Sequence, residues 1–209
     1  MSIFFDCETR RTSDPAVIAR LKASVQPPGN ISKAETLAAW WKEKAPAAQL
    51  AAVEQTSLDG TYGRLASFAW AVGTNSVKCV YGDDELGMLH AVALAFTDQG
   101  RGQLVAFNGE FDLRFLMQRM VINRVPVPTA IRAALSQRDG YFDPMKEWMG
   151  YRGYIKQVEL ERVLGIPRED DITGADVGTA IDAGDWESVE RHNIADVENL
   201  RSIYHRMMK

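Results

Sequence analysis

The sequence predicts an α/β protein in which a mixed five-stranded sheet is flanked by helices, with a helical insertion after the first strand. Short apolar segments rich in β-branched and aromatic residues alternate with segments of helical periodicity. The composition, with 46% hydrophobic and 25% charged residues, is that of an ordinary globular protein. Its 209 residues suffice for one well-buried domain. We therefore expect residues 1–209 to form a single domain whose insertion covers about residues 12–60.

Composition excludes several classes of protein. No apolar run reaches the roughly 18 residues of a membrane span, and no basic segment precedes a signal-like apolar core. We therefore expect a cytoplasmic protein with no membrane partner. The two cysteines lack metal-ligand spacing, which argues against a zinc site or a disulfide framework. The net charge of -4 argues against coating of nucleic acid by bulk electrostatics, but not against an enzyme that grips a chain end through a metal.

The first element is a buried strand that ends in two carboxylates. Side chains alternate along a strand, so Asp6 and Glu8 point to one face while Cys7 points to the other. Two anions held side by side repel each other and lose hydration. A hard divalent cation such as Mg²⁺ or Mn²⁺ is the natural partner for them. A turn or a helix-capping segment is the alternative interpretation of an isolated Asp-x-Glu.

Helices fill the insertion that follows, and the remaining strands come later in the chain. Asp14 is placed to cap a helix and Pro15 to open it. Residues 33–54 are predicted to form one helix, or two helices divided at Pro46. The other strands are predicted at residues 64–73 and 77–81, which form an antiparallel hairpin, and at residues 103–107 and 141–144. Further helices are predicted over about residues 83–97, 111–121, 130–137, 158–164 and 185–208, with a small one within residues 168–184.

Two further acidic residues bring the first pair into a possible site. Asp112 stands where a buried strand gives way to a helix, and open α/β sheets collect their sites at such strand ends. Asp196 lies in the terminal helix, with His192 four residues before it on the same face. Together with Asp6 and Glu8, these two carboxylates would bind two divalent ions. Such an arrangement serves in-line attack on a phosphodiester.

Three short motifs then give the chain a resemblance to a known family. They read FFDCET over residues 4–9, FNGEFD over residues 107–112 and HNIADV over residues 192–197. They resemble the three motifs of the DEDD 3′-5′ exonuclease superfamily, which has a ribonuclease H-like fold and an Asn before the Phe-Asp pair of its second motif. The segments PPGN and LERVLGI are similar to those of small stand-alone exonucleases related to the proofreading domain of family B DNA polymerases.

The resemblance implies a metal-dependent 3′-5′ exonuclease that acts on single-stranded DNA or RNA with a free 3′ end and releases nucleoside monophosphates. It implies two Mg²⁺ or Mn²⁺ ions, roughly 3.5–4 Å apart, of which one activates water and the other stabilises the leaving oxygen. The side chain of His192, with a reference pKa of about 6.5, would take the proton from that water or orient it. The resemblance assigns as metal ligands Asp6, Glu8, Asp112 and Asp196, and as substrate contacts Thr9, Asn108 and Phe111.

One residue of the third motif departs from the family pattern. In the branch that the rest of the chain resembles, the residue four before the last Asp is usually Tyr; in the histidine branch, the His usually lies five before it. Here His192 stands four residues before Asp196. One position along an α-helix rotates a side chain by about 100°. The branch and the role of His192 are therefore left open.

Other functions and roles are compatible with the same residues. A nucleic-acid-binding module without turnover, or an interaction protein with this fold, would carry the same motifs. Core packing is the alternative role for Phe111, and a solvated helix face is the alternative to phosphate contact for Arg114 and Arg119. Asp143 is either an additional acid close to the site or a cap at the end of a strand.

Overall fold

A computed structural model of the protein describes residues 1–97, 102–137, 140–170 and 172–209. In these residues the sheet consists of β1 (Ser2–Arg10), β2 (Arg64–Val72), β3 (Lys78–Tyr81) and β4 (Gln103–Val105). The strand order is β3-β2-β1-β4. β4 runs parallel to β1, and β2 pairs antiparallel with β3. The sheet is therefore mixed, as predicted, and the hairpin lies at one edge.

The predicted fifth strand is reduced to a single bridge, so the described sheet has four strands and not five. Phe142 forms a parallel bridge to Val105, and its N–H donates to the carbonyl oxygen of Leu104 at 2.8 Å. Two residues later Pro144 starts a helix, for which Asp143 is the N-cap. Proline has no N–H to donate to a ladder. The strand therefore ends after one pair.

Ten α-helices lie in the described part of the chain. They are α1 (Pro15–Ser24), α2 (Ala34–Glu43), α3 (Ala45–Glu54), α4 (Glu85–Thr97), α5 (Glu110–Ile122), α6 (Thr129–Ser136), α7 (Pro144–Met149), α8 (Gln157–Leu164), α9 (Val177–Ala183) and α10 (Trp186–Met207). Pro46 stands in the first turn of α3, where its missing N–H leaves no helical hydrogen bond unmade. None of the helices described here has the length and apolar character needed to cross a membrane.

The two faces of the sheet pack against different helices. One face contacts α4, α5 and α6 around the buried ring of Phe5. The other face contacts α10, where Phe4 and Leu200 share a cluster. Because side chains alternate along β1, Asp6 and Glu8 lie on the face of Phe4 and are directed toward α10. This packing places the first motif opposite the third.

The chain forms two compact units. One contains residues 1–9 and 65–209, and the other contains residues 10–64. In the second unit α3 packs against both α1 and α2, and the guanidinium of Arg20 lies 5.1 Å from the centre of the Tyr62 ring. The predicted insertion over about residues 12–60 falls within this unit. That the whole chain is one domain stays a prediction.

Candidate metal centre

Five polar side chains from three elements meet beside the carboxyl-terminal half of β1. Asp6 and Glu8 come from β1, and Asp112 comes from the first turn of α5. His192 and Asp196 lie one turn apart on α10. All five were predicted from the sequence, and the contacts below show how the fold brings them together.

The carboxylates of this cluster repel each other; Asp112 is buried, and Asp6, Glu8 and Asp196 are part-buried. Burial raises the pKa of Asp6 well above its usual range, and the charges of Asp112, Asp196 and Glu8 raise it further. Burial also raises the pKa of Glu8, to which Asp196 and Asp112 add. The carboxyl groups of Asp6 and Glu8 are therefore harder to ionise here than in water. A bound cation would relieve this repulsion.

Glu8, His192 and Asp196 form the tightest part of the cluster. One ligand atom from each lies within 4.8 Å of the other two. Nε2 of His192 is 3.3 Å from Oδ2 of Asp196 and 3.6 Å from Oε1 of Glu8. The histidine is only 4% exposed, so its ring is held inside the protein. Among the described residues, this group has the spacing of a metal site.

A buried ionic network lies behind the histidine and Asp196. The guanidinium of Arg168 donates to both oxygens of Asp170, from Nε to Oδ1 at 2.7 Å and from Nη2 to Oδ2 at 2.8 Å. Its Nη1 donates to Oδ1 of Asp196 at 2.8 Å. Oδ2 of Asp170 is 2.5 Å from Nδ1 of His192, while Nη2 of Arg168 is 3.2 Å from that nitrogen. The network therefore contacts both α10 residues on the side away from Glu8.

Two residues of α8 complete the network. The amide of Gln157 donates to the backbone oxygen of Asp196 at 2.9 Å and to the carboxylate of Glu161 at 3.0 Å. Glu161 is 1% exposed and also accepts from Arg168 at 3.2 Å. Sequence analysis assigned none of these supporting residues to the site. Arg168 and Asp170 lie in residues 168–184, where the sequence predicted only a small helix, and Glu161 and Gln157 lie about 30 residues or more before the third motif.

Asp6 is supported by neutral groups. Nδ2 of Asn193, which follows His192 on α10, donates to Oδ2 of Asp6 at 2.6 Å. Oδ1 of Asn193 accepts from the hydroxyl of Ser67 at 2.5 Å. Asn193 is fully buried, so this chain of hydrogen bonds links β1, β2 and α10 inside the protein. The third motif thus supplies a support for Asp6 as well as its own candidate ligand.

Asp112 is also held by neutral donors. Its Oδ1 accepts from the backbone N–H of Cys7 at 3.2 Å and from the Cys7 thiol at 3.0 Å. Burial raises the pKa of Asp112 to about 7, although the hydrogen bonds from Cys7 oppose the shift. Burial and the charge of Asp112 in turn raise the pKa of the thiol. Cys7 belongs to the apolar core, yet its sulfur also contacts a candidate metal ligand.

The predicted substrate contacts lie beside the cluster. Asn108 has a positive φ of 53°, and its N–H donates to Oδ1 of Asp143 at 3.0 Å. Asp143 caps α7, and its charge also acts to raise the pKa of Asp112, so it is both a cap and an additional acid close to the cluster. Phe111 is half-buried, with its ring 5.8 Å from that of Phe115. Thr9 is half-buried and follows Glu8 in β1. Contact of these residues with a substrate stays a prediction.

The two arginines of α5 have different surroundings. Arg119 is 7% exposed, and its Nη2 is 2.8 Å from Oε2 of the buried Glu85. It therefore belongs to the interior, so both expectations for it, contact with phosphate and a solvated helix face, were wrong. Arg114 lies on the surface and pairs with Glu110 at 2.9 Å.

The donor set fits divalent cations. Four carboxylates and one imidazole converge, and three of the carboxyl groups have raised pKa values because they are buried near one another. Carboxylate oxygens suit Mg²⁺ and Mn²⁺, and imidazole suits transition metals. Asp6, Glu8, Asp112 and Asp196 are thus the carboxylates available to such ions.

Comparison with known proteins gives one match. A model of the RNase H superfamily matches residues 52–208, which is most of the chain. The matched region includes α5 and α10 with their candidate ligands, and it begins after β1. No curated protein matches the chain.

Proposed function

Because the chain belongs to the RNase H superfamily, we propose that it is a metal-dependent 3′-5′ exonuclease that shortens single-stranded DNA or RNA. The observation that carries the proposal is a cluster of four carboxylates from β1, α5 and α10, in which the charges of the other three raise the pKa of Asp6 beyond the effect of its burial. Such a cluster is unfavourable without cations, and phosphodiester cleavage is a chemistry for which paired cations are suited. The 3′ polarity and the release of nucleoside monophosphates are inferred from the motif resemblance. The cytoplasmic location is retained as a prediction.

In this proposal the four carboxylates hold two Mg²⁺ or Mn²⁺ ions. When bound, such ions supply positive charge to the attacking and leaving oxygens of an in-line displacement. Asp6 and Asp112 are held in place by Asn193 and Cys7. Asp112 is buried and the other three are part-buried, which strengthens electrostatic interactions there relative to bulk water. The proposal requires the carboxylates; the role of His192 as proton acceptor or water orienter is a separate, sequence-based expectation.

The test uses 5′-labelled single-stranded DNA and RNA oligonucleotides with Mg²⁺, with Mn²⁺ and with a chelator. We expect a ladder that shortens from the 3′ end and disappears with the chelator. Asp196→Asn should abolish the ladder, whereas Glu198→Gln, an exposed acid on the same helix, should leave it unchanged. If neither oligonucleotide shortens with either ion, the catalytic proposal is wrong.

A nucleic-acid-binding module without turnover is the second candidate. One observation favours it: Nη1 of Arg168 already pairs with Oδ1 of Asp196 at 2.8 Å. The guanidinium there supplies part of the positive charge that a metal would otherwise supply. For this candidate the labelled oligonucleotides would bind the protein and remain at full length in the presence of Mn²⁺.

A further inference from the structure

The geometry around His192 bears on which atoms hold an ion. Its Nε2 faces Oδ2 of Asp196 and Oε1 of Glu8, at 3.3 Å and 3.6 Å. These three atoms belong to a group whose ligand atoms all lie within 4.8 Å of one another. A cation placed among them would therefore have a nitrogen neighbour as well as oxygen neighbours.

The contact with Asp170 decides which ring nitrogen is free for an ion. Oδ2 of Asp170 also accepts from Nη2 of Arg168 at 2.8 Å, and a carboxylate held by a guanidinium acts as an acceptor. Nδ1 of His192 lies 2.5 Å from that oxygen and 3.2 Å from Nη2 of Arg168, and we assign its N–H to the shorter contact, with the carboxylate. The other nitrogen, Nε2, is the one directed at Glu8 and Asp196. A histidine that binds a metal almost always donates its other N–H to a carboxylate or carbonyl in this way.

Asp196 is oriented in the same manner. Its Oδ1 is held by Arg168 at 2.8 Å, with Gln157 at 3.3 Å, and its Oδ2 is the oxygen that faces His192. In each of the two α10 residues, one polar atom is therefore tied to the buried network and the other is presented to Glu8. A histidine that only filled space in the core would not need a neighbouring carboxylate, here that of Asp196, turned in the same direction.

We propose that His192 binds a divalent ion directly through Nε2, together with Glu8 and Asp196, and that Asp170 is the residue that positions its ring. This assignment rests on the proposed function, because both take the same cluster to be the metal centre. It gives one ion a mixed nitrogen and oxygen donor set. Imidazole is a better ligand for Mn²⁺ than for Mg²⁺, which prefers oxygen and retains its water. The site should therefore prefer Mn²⁺.

Coordination excludes the proton-accepting role while the ion is bound. The lone pair of Nε2 that bonds to a metal is the one that would take a proton from water, and Nδ1 is already engaged with Asp170. The position of His192, four residues before Asp196, allows its ring to lie one turn from that carboxylate on the same face of α10. The departure from the histidine-branch spacing thus corresponds to a different task for the residue.

The direct test is pulsed electron paramagnetic resonance of the Mn²⁺-loaded full-length protein. A nitrogen atom bonded to Mn²⁺ modulates the spin echo. We expect this nitrogen modulation in the wild type and its loss in His192→Gln. The matched control is His205→Gln, because His205 is an exposed histidine on the same helix and its replacement should leave the signal unchanged. Circular dichroism of each variant checks that it is folded.

Calorimetric titration with Mn²⁺ and with Mg²⁺ tests the metal preference and the role of Asp170. His192→Gln should weaken Mn²⁺ binding by at least about tenfold and change Mg²⁺ binding less. Asp170→Asn, which retains the shape but loses the charge, should weaken Mn²⁺ binding by about 10–100-fold, the usual effect of replacing a group that orients a metal ligand. A role of Asp170 confined to folding would lower stability without changing the ratio of the two affinities.

The outcomes separate this assignment from the exonuclease proposal. Bound Mn²⁺ without nitrogen modulation, modulation that persists in His192→Gln, or no Mn²⁺ binding at all would overturn the assignment. Oligonucleotide shortening without nitrogen modulation would leave the exonuclease standing and return His192 to the role of proton acceptor. Nitrogen modulation without shortening would support the metal ligand and contradict the exonuclease.

Discussion

The candidate metal centre has two halves that differ in what supports them. Glu8, His192 and Asp196 form the imidazole half, and Asp6 and Asp112 form the aspartate half. The imidazole half is backed by Arg168, a buried cation that pairs with Asp196 at 2.8 Å. The aspartate half is held by an amide, a thiol and a backbone N–H, all of which are neutral. Among the hydrogen bonds of the described residues, Arg168 therefore contacts the imidazole half, although its charge also acts to lower the pKa of Asp6.

The difference shows where the protein depends on bound metal. Neutral donors orient a carboxylate without compensating its charge, so burial raises the pKa of Asp112 to about 7. A guanidinium both orients a carboxylate and compensates its charge. The imidazole half should thus keep its shape without metal, whereas the aspartate half should gain most from it. Three predictions test this contrast, beginning with the largest effect.

Replacing an acid of the aspartate half should remove activity and leave the other half able to bind an ion. In Asp112→Asn, we expect single-turnover shortening of a labelled oligonucleotide to fall by about a thousandfold, because charge stabilisation of the reacting oxygens is lost. The same variant should retain the nitrogen modulation of bound Mn²⁺. Loss of activity together with loss of that signal would show that the halves form one inseparable site.

Removing the internal cation should destabilise the metal-free protein. Arg168→Met leaves Asp170 and Glu161, whose side chains are 4% and 2% exposed, without their ion pair to this arginine. The free energy of unfolding in the presence of chelator should fall by about 3–5 kcal/mol, the usual effect of breaking a buried pair. Denaturant unfolding measures this, with Arg162→Met as the control. Arg162 pairs with Glu159 on the surface of α8, so its loss should change stability by less than about 1 kcal/mol. Equal effects of the two variants would contradict the role given to Arg168.

The raised pKa of Asp112 predicts a pH dependence of stability. Between its ordinary value of 3.8 and about 7, the folded protein retains a proton on Asp112 that the unfolded chain has released. Protonated Asp112 therefore stabilises the folded protein at low pH, and this contribution is lost as the pH rises through about 7. In chelator, Asp112→Asn should gain stability relative to the wild type over this range, by roughly 1.4 kcal/mol for each pH unit that separates the folded and unfolded pKa values. Urea unfolding at a series of pH values measures the difference, and parallel curves for the two proteins would contradict it.

Much of the architecture could be predicted from patterns along the chain. The alternation of β1 placed Asp6 and Glu8 on one face, and the structure directs that face to α10. The hairpin and the long terminal helix were also predicted, since each has a strong local pattern. The prediction of a fifth strand was wrong because the pairing of Phe142 stops before Pro144, which starts a helix. A single bridged pair and a short strand look alike in the sequence.

The supporting residues of the site could not be predicted in the same way. Ser67 contacts Asn193 across 126 residues of sequence, and Cys7 contacts Asp112 across 105. No periodicity connects such partners. Asp170 is one of several acidic residues in its segment, and nothing in the sequence sets it apart from the others. Its contacts with Arg168 and His192 are what distinguish it.

The residue types and their motifs were enough to indicate α/β architecture, a four-carboxylate cluster and divalent metal chemistry, because these depend on local periodicity and on charge. The pairing of those acids with their supports required the folded chain. Packing of α8, α10 and the loop that follows α8 places the guanidinium of Arg168 beside Asp196. Hydrogen bonds from β1 and α10 give the aspartate half neutral partners. Which ring nitrogen of His192 faces the acids follows from the 2.5 Å contact with Asp170, a contact across 22 residues that sequence spacing does not encode.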